Sequence, residues 1–167
     1  METEQRMSEK IKKRQVFENE MHISFDAISV NEAFARITVA AFVAPLNPTL
    51  EEISDIKTAV SEAVTNAIIH GYDGAEPGEK KQVHMECRIS EDVLQVIVKD
   101  EGKGIEDIEQ AMQPLFTTKP ELDRSGMGFA FMEAFMDDLE VESVPAGGTT
   151  VTMKKKLGTS SWLKYED

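Results

Sequence analysis

Glu62 and Asn66 stand four residues apart in the run Ser61-Glu62-Ala63-Val64-Thr65-Asn66-Ala67-Ile68-Ile69-His70-Gly71. Residues at that spacing share one face of a helix. A carboxylate and an amide therefore point the same way, beside the small side chains of Ala59, Ala63 and Ala67. The pair suits a Mg²⁺–phosphate site. The asparagine oxygen can ligate the ion, which keeps several waters and takes substrate phosphates as further ligands. The glutamate can accept a proton from an attacking hydroxyl. On an ordinary helix surface the same two side chains would mean little, so the reading depends on a phosphate seat elsewhere in the chain.

Two glycine loops supply that seat. The first, Asp100-Glu101-Gly102-Lys103-Gly104-Ile105, ends the alternating run Val93 to Val98, which reads as a strand. An acid followed by Gly-x-Gly gives a carboxylate at a strand end and a tight turn, where the backbone can approach a flat or anionic ligand. The second, Arg124-Ser125-Gly126-Met127-Gly128-Phe129, opens a helical run. Bare N–H groups at a helix N-terminus can seat a phosphate. Between the loops lies a polar insert, Pro114 to Arg124, whose Thr117, Thr118 and Lys119 are what a lid over phosphates would carry. Each loop alone could be an ordinary turn. Combined with the Glu62/Asn66 helix, they read as a nucleotide held under a lid.

The elements that must position these residues follow from periodicity. Glu20 to Ala27 alternates, with Met21, Ile23 and Phe25 on one face, and reads as a strand. Asn31 is placed to cap a helix that runs to Ala44 and carries Arg36, which spacing alone makes an exposed side chain. Pro45 and Pro48 end it. Thr49 with Glu51 and Glu52 starts the next helix, which runs to about His70 and is stopped by Gly71. His70 reads as a helix C-terminal residue favoured by the dipole, not as a metal ligand. Gln82 to Ile89 and Val93 to Lys99 form a hairpin, and Ile105 to Met112 a short helix. Phe129 to Asp137 is a further helix, and Leu139 to Val144 with Thr149 to Lys155 a second hairpin. The order β-α-α-β-β-(short α, lid)-α-β-β predicts an α+β fold: a two-layer α/β sandwich with one mixed, mostly antiparallel sheet and helices on a single face.

Composition bounds the rest. The 167 residues fit one domain with a sizeable core. The expected division is an N-terminal extension at 1–19, a folded domain at 20–157 and a tail at 158–167. The net charge of −13 argues against direct nucleic-acid binding, which rests on neutralising phosphates. Acidity can hold a basic protein partner or simply keep the chain soluble. No apolar run approaches the roughly 20 residues that span a bilayer, and no secretory leader is evident, so no membrane is expected and the cytoplasm is the expected compartment. The single cysteine, Cys87, cannot form an internal disulfide and reads as a buried small hydrophobe.

Set side by side, these motifs resemble the ATP-binding family shared by gyrase, the heat-shock chaperone ATPase, histidine kinases and a mismatch-repair ATPase, whose fold is the Bergerat fold. The N-box resembles Glu62-x-x-x-Asn66, the G1 box Asp100-x-Gly102-x-Gly104, and the G2 box Gly126-x-Gly128. Gly148-Thr149-Thr150 matches as well. Within the family, the runs Asn31 to Arg36, Ser61 to Gly71 and Gln113 to Gly128 are similar to those of the anti-sigma serine kinases of spore-forming bacteria, the anti-sigma F group.

The resemblance covers about Glu20 to Leu157 and carries specific implications. Asp100 would accept a hydrogen bond from the adenine amine of ATP or ADP, with Gly102 and Gly104 letting base and ribose approach. Asn66 would hold Mg²⁺. Ser125, Gly126, Met127 and Gly128 would wrap the phosphates, helped by Thr118, Lys119 and Arg124 from the lid. Thr150 would contact the adenine side, and Glu62 would act as base toward a serine hydroxyl of an anti-anti-sigma factor. Arg36 would lie on the surface that receives sigma factor F and that anti-anti-sigma factor. The resemblance also implies a homodimer through the first strand and helix. Two alternatives accompany it: a nucleotide-dependent binding module without useful catalysis, and a kinase acting on a general stress sigma factor.

Overall fold

The structure, a computed structural model, describes residues 18–73, 78–114 and 127–158. Thr118, Lys119, Arg124, Ser125 and Gly126 lie outside the described residues, as do most of the expected N-terminal extension and C-terminal tail.

Five strands form one sheet in the order β1 (Glu18–Asp26), β2 (Gln82–Ser90), β3 (Val93–Asp100), β5 (Gly148–Lys156) and β4 (Asp138–Val144). The expected α+β sandwich is present. Every pairing is antiparallel, where a mixed, mostly antiparallel sheet was expected. The reason is topological. Each hairpin pairs with itself, and β5 joins β3 antiparallel after the helical excursion.

Alternation along the strands explains the two-layer build. Val83, Met85, Cys87 and Ile89 of β2 face inward, as do Leu94, Val96 and Val98 of β3 and Val151 and Met153 of β5. The other face of the sheet is polar. Helices cover the apolar side: α1 (Val30–Val43), α2 (Leu50–Asn66) and α4 (Gly128–Phe135), with the short α3 (Ile108–Ala111) beside the first glycine loop. Helix α2 lies between α1 and α4. Its stripe Ile56, Ala59, Val60, Ala63, Val64 recurs at helical spacing and is buried throughout.

Local chemistry sets the helix boundaries. Thr49 and Glu52 form a capping box at the start of α2: the Glu52 amide donates to Thr49 Oγ1 at 3.1 Å, and the Thr49 amide donates to Glu52 Oε2 at 2.9 Å. Asn31 is not the cap of α1. Ser29 holds that position, and Asn31 lies inside the first turn, its amide donating back to the Asp26 carbonyl at 2.9 Å. The short helix begins at Ile108 instead of Ile105, because the Ile105 amide is held by Ser143 Oγ at 2.7 Å and Asp107 supplies the cap. Helix α2 does not run on to His70 as a regular α-helix; after Asn66 it widens into a π-helical turn, Ala67–Gly71.

Candidate functional site

The widened turn brings Gly71 against the end of β3. The Gly71 carbonyl accepts from the Lys103 amide at 2.8 Å. A Cβ at Gly71 would lie 2.7 Å from Asp100 Cγ, and a Cβ at Gly102 would lie 1.7 Å from the Gly71 oxygen. The first glycine loop is thus interlocked with the end of α2. Gly104 takes φ +75°, and a Cβ there would meet the Val144 carbonyl at 2.2 Å. Sequence reasoning gave these glycines to ligand approach; the structure gives them first to chain packing.

Asp100 is only 5% exposed. Its Oδ1 accepts from the Gly102 amide at 2.9 Å. Burial raises its pKa above the ordinary carboxylate value, and hydrogen bonds from the Gly102 and Thr149 backbone pull it partly back. The loop's other end is fixed by Ser143, whose hydroxyl donates to the Gly148 carbonyl at 3.1 Å and lies 2.9 Å from Thr149 Oγ1.

Glu62 and Asn66 converge on the start of α4. A Cβ at Gly128 would stand 3.1 Å from Asn66 Nδ2 and 3.2 Å from Glu62 Oε2. The helix face inferred from their spacing is therefore real, and the missing side chain of Gly128 lets both stand close to its backbone. Met127 caps α4, its carbonyl accepting from the Phe131 amide at 2.8 Å.

A cavity of about 420 Å³ joins these groups, within the range of roughly 300–1,000 Å³ usual for ligand pockets. Asp100 and Gly71 lie at one part of its lining, Asn66 and Gly128 at another, and Ala63, Ala67, Val98 and Val151 form apolar wall. A cavity with an apolar wall and one buried acid, reaching the N-terminal end of α4, can take an aromatic base and an anionic tail.

Thr150 requires correction. It pairs with Lys99 and Glu142 on the polar face of the sheet, while Thr149 and Val151 line the cavity. Two adjacent threonines cannot be told apart by motif, but alternation along a strand turns one inward and the next outward. Gly102 is not among the lining residues. Arg36 lies away from the cavity on α1, its guanidinium donating to both oxygens of Glu32 at 2.7 and 2.8 Å.

Sequence reasoning missed several wall residues, His70 and Lys103 among them. His70 lines the cavity. Its distance of four from Asn66 repeats the Glu62–Asn66 spacing and could have found it. Lys103 stands at the rim, its Nζ 3.1 Å from Asp73 Oδ2. Among the described residues, no helix is long and apolar enough to cross a membrane.

Comparison with known proteins agrees with this geometry. The family model of the histidine kinase-like ATPase domain matches residues 24–155. An anti-sigma F factor of Bacillus subtilis is 54% identical over 145 residues, which is 87% of this chain and 97% of that protein. An anti-sigma F factor of Geobacillus kaustophilus is 59% identical over 145 residues, with the same coverage of 87% and 97%. A crystal structure of the RsbU and RsbW domains of a Mycobacterium tuberculosis protein superimposes with a TM-score of 0.60 at 25% identity, covering 83% of this chain and 32% of that one. Sheet order, the interlocked glycine loop and relatives more than half identical along nearly their whole length lead to one assignment: the chain belongs to the anti-sigma F factors, within the histidine kinase-like ATPase family.

Proposed function

We propose that the chain binds sigma factor F and phosphorylates a serine of its anti-anti-sigma antagonist, using Mg-ATP. The observation that carries this reading is the convergence of Glu62 and Asn66 on Gly128, which with Asn66 lines the cavity that also holds the buried Asp100.

In this reading Asp100 accepts a hydrogen bond from the exocyclic amine of adenine, and the apolar wall holds the base flat. The bare backbone of Gly128 and the amide oxygen of Asn66 beside it fit a Mg²⁺–phosphate group. When bound, the ion offsets phosphate charge. Glu62 then takes the proton of the substrate serine as its oxygen attacks the γ-phosphorus. A new O–P bond forms, the bond to the β-phosphate bridging oxygen breaks, and ADP leaves. Such a transfer asks the protein mainly for alignment and charge compensation. The kinase unit would occupy residues 20–157 and act in the cytoplasm.

Arg36, ion-paired with Glu32 beside the Leu50–Ser61 stretch of α2, is the residue we assign to the partner-binding surface. The exposed apolar residues Val30, Phe34 and Ile37 of the same helix support a homodimer through the first strand and helix.

The test is transfer of labelled phosphate from Mg-ATP to a candidate anti-anti-sigma protein, with Glu62→Ala alongside. Label on a partner serine, lost in the variant, is the expected result. No transfer, with ATP binding and sigma capture intact, would leave a nucleotide-dependent binding module instead.

A further inference from the structure

Strand β3 stops one residue short of both its neighbours, since β2 begins at Gln82 and β5 at Gly148. The last β2–β3 pair joins Val83 to Asp100, and the last β3–β5 pair joins Asp100 to Thr149. The amide of Glu101 lies beyond both ladders. It donates instead to the hydroxyl of Tyr72 at 3.0 Å, and that hydroxyl donates to the carbonyl of Gln82. One phenol thus stands in for the missing rung, tying the residue after Asp100 to the first residue of β2.

The position of this phenol in the chain gives the rung its meaning. Tyr72 directly follows Gly71, the residue packed on the Asp100 carboxyl. It is therefore delivered by the same widened turn that carries α2 toward the glycine loop. Asp100 is held through Gly71 in front, Gly102 behind and the Tyr72 rung at its C-terminal side. Without the phenol, the Glu101 peptide would be free to turn, and the carboxylate of the preceding residue would lose its fixed aim. Burial raises the Tyr72 pKa, so the hydroxyl keeps the proton it donates to Gln82.

We propose that Tyr72 is a positioning residue for Asp100, its hydroxyl tying the Glu101 amide to the Gln82 carbonyl so that the carboxylate stays aimed at the amine of a bound adenine. The proposal rests on the nucleotide reading above. A site built to hydrogen-bond one polar group rejects an analogue that lacks it. Loss of aim should therefore weaken binding of a base with the amine and leave a base without it nearly unaffected.

The experiment is calorimetric titration of wild type and Tyr72→Phe with ATP and with the triphosphate of unsubstituted purine riboside, which lacks only the exocyclic amine. In Tyr72→Phe, the ATP dissociation constant should rise about tenfold, the order expected when hydrogen bonds are lost and their partners left unpaired. The purine analogue should bind both proteins alike, so the preference for the amine narrows. A general structural role would lower the melting temperature without narrowing it. Equal weakening of both ligands, or of neither, overturns the proposal. If Tyr72→Phe does not fold, hydrogen exchange in wild type decides: a Glu101 amide as protected as the interior of β3 supports the rung, and fast exchange overturns it. Failure of wild type to bind ATP would overturn the nucleotide reading itself, and is seen in the first titration.

Discussion

Gly71 and Asp100 are packed so closely that a methyl group on the first would lie 2.8 and 2.9 Å from the two carboxylate oxygens of the second. The helix that carries Glu62 and Asn66 is thereby fixed against the strand that carries the buried acid. The two parts of the cavity form one rigid frame.

That frame predicts the cost of filling it. In Gly102→Ala the new Cβ would fall 1.7 Å from the Gly71 carbonyl oxygen, which is backbone and cannot turn aside. Overpacking of this kind costs about 1–3 kcal/mol or more. The expected outcome is a clear fall in the denaturant midpoint, together with weakened nucleotide binding. An unchanged midpoint would mean that the loop is free to move.

Substitution of the two acids should separate binding from chemistry. Glu62→Ala should lower the rate of phosphate transfer by about 10²–10⁴-fold, the usual contribution of a general base, with ATP affinity largely kept. Asp100→Asn should weaken ATP binding itself, because an amide can present its N–H₂ group where the adenine amine needs an acceptor. A binding titration beside a single-turnover assay distinguishes them. Equal loss of both functions in Glu62→Ala would remove it from the role of base.

The pH dependence of stability follows from Asp100. Its folded-state pKa is raised above 3.8, chiefly by burial. Between the unfolded and the folded value, the native state holds more protons than the unfolded one. This group's contribution to stability therefore increases as pH falls through the folded pKa, and is lost as pH rises through it. The nucleotide-free protein should show this trend just above pH 3.8, and Asp100→Asn should abolish that component. Chemical denaturation across that interval, wild type against variant, measures it.

The fold was largely legible because its elements announce themselves. The alternation of Val93 to Val98, the Thr49 cap and the Ala59–Ala63–Ala67 spacing each report a local preference that the tertiary structure keeps. The Glu62–Asn66 face was legible for the same reason. The inward turn of Thr149 in place of Thr150 was not, since it depends on the register between β3 and β5. Nor was the π-helical turn, which is imposed by packing of Gly71 on Asp100 and has no signature of its own. Asn31 misled because a good capping residue sits two positions inside the helix and bonds backward to Asp26 instead.

Cys87 offers a probe of the core. It is buried on β2, and burial pushes its thiol up to about 12. Only the thiolate is an effective nucleophile. The native protein should therefore resist alkylation at neutral pH and react on unfolding, so the labelling rate reports global opening. Rapid labelling of the folded protein would show that β2 is accessible.

The exposed row on α1 gives a test of assembly. Ile37 is 60% exposed and Val30 70% exposed, one turn to either side of the half-exposed Phe34. Ile37→Glu places a charge within the proposed dimer contact and should shift the protein to monomer in sedimentation velocity. An undisturbed dimer would move the interface elsewhere.

Asp100 closes the central strand, paired on one side with Val83 and on the other with Thr149. Because side chains alternate, a one-residue slip of β3 that puts Lys99 opposite Val83 would carry Asp100 to the solvent face and swing Lys99 inward. The cavity would then hold a cation where it now holds an acid, and would disfavour the amine it is proposed to receive. Strand pairing during folding and the proposed recognition of the base are therefore one decision: a chain that aligns β3 in this way is not a weaker binder of the same ligand but a site of opposite charge.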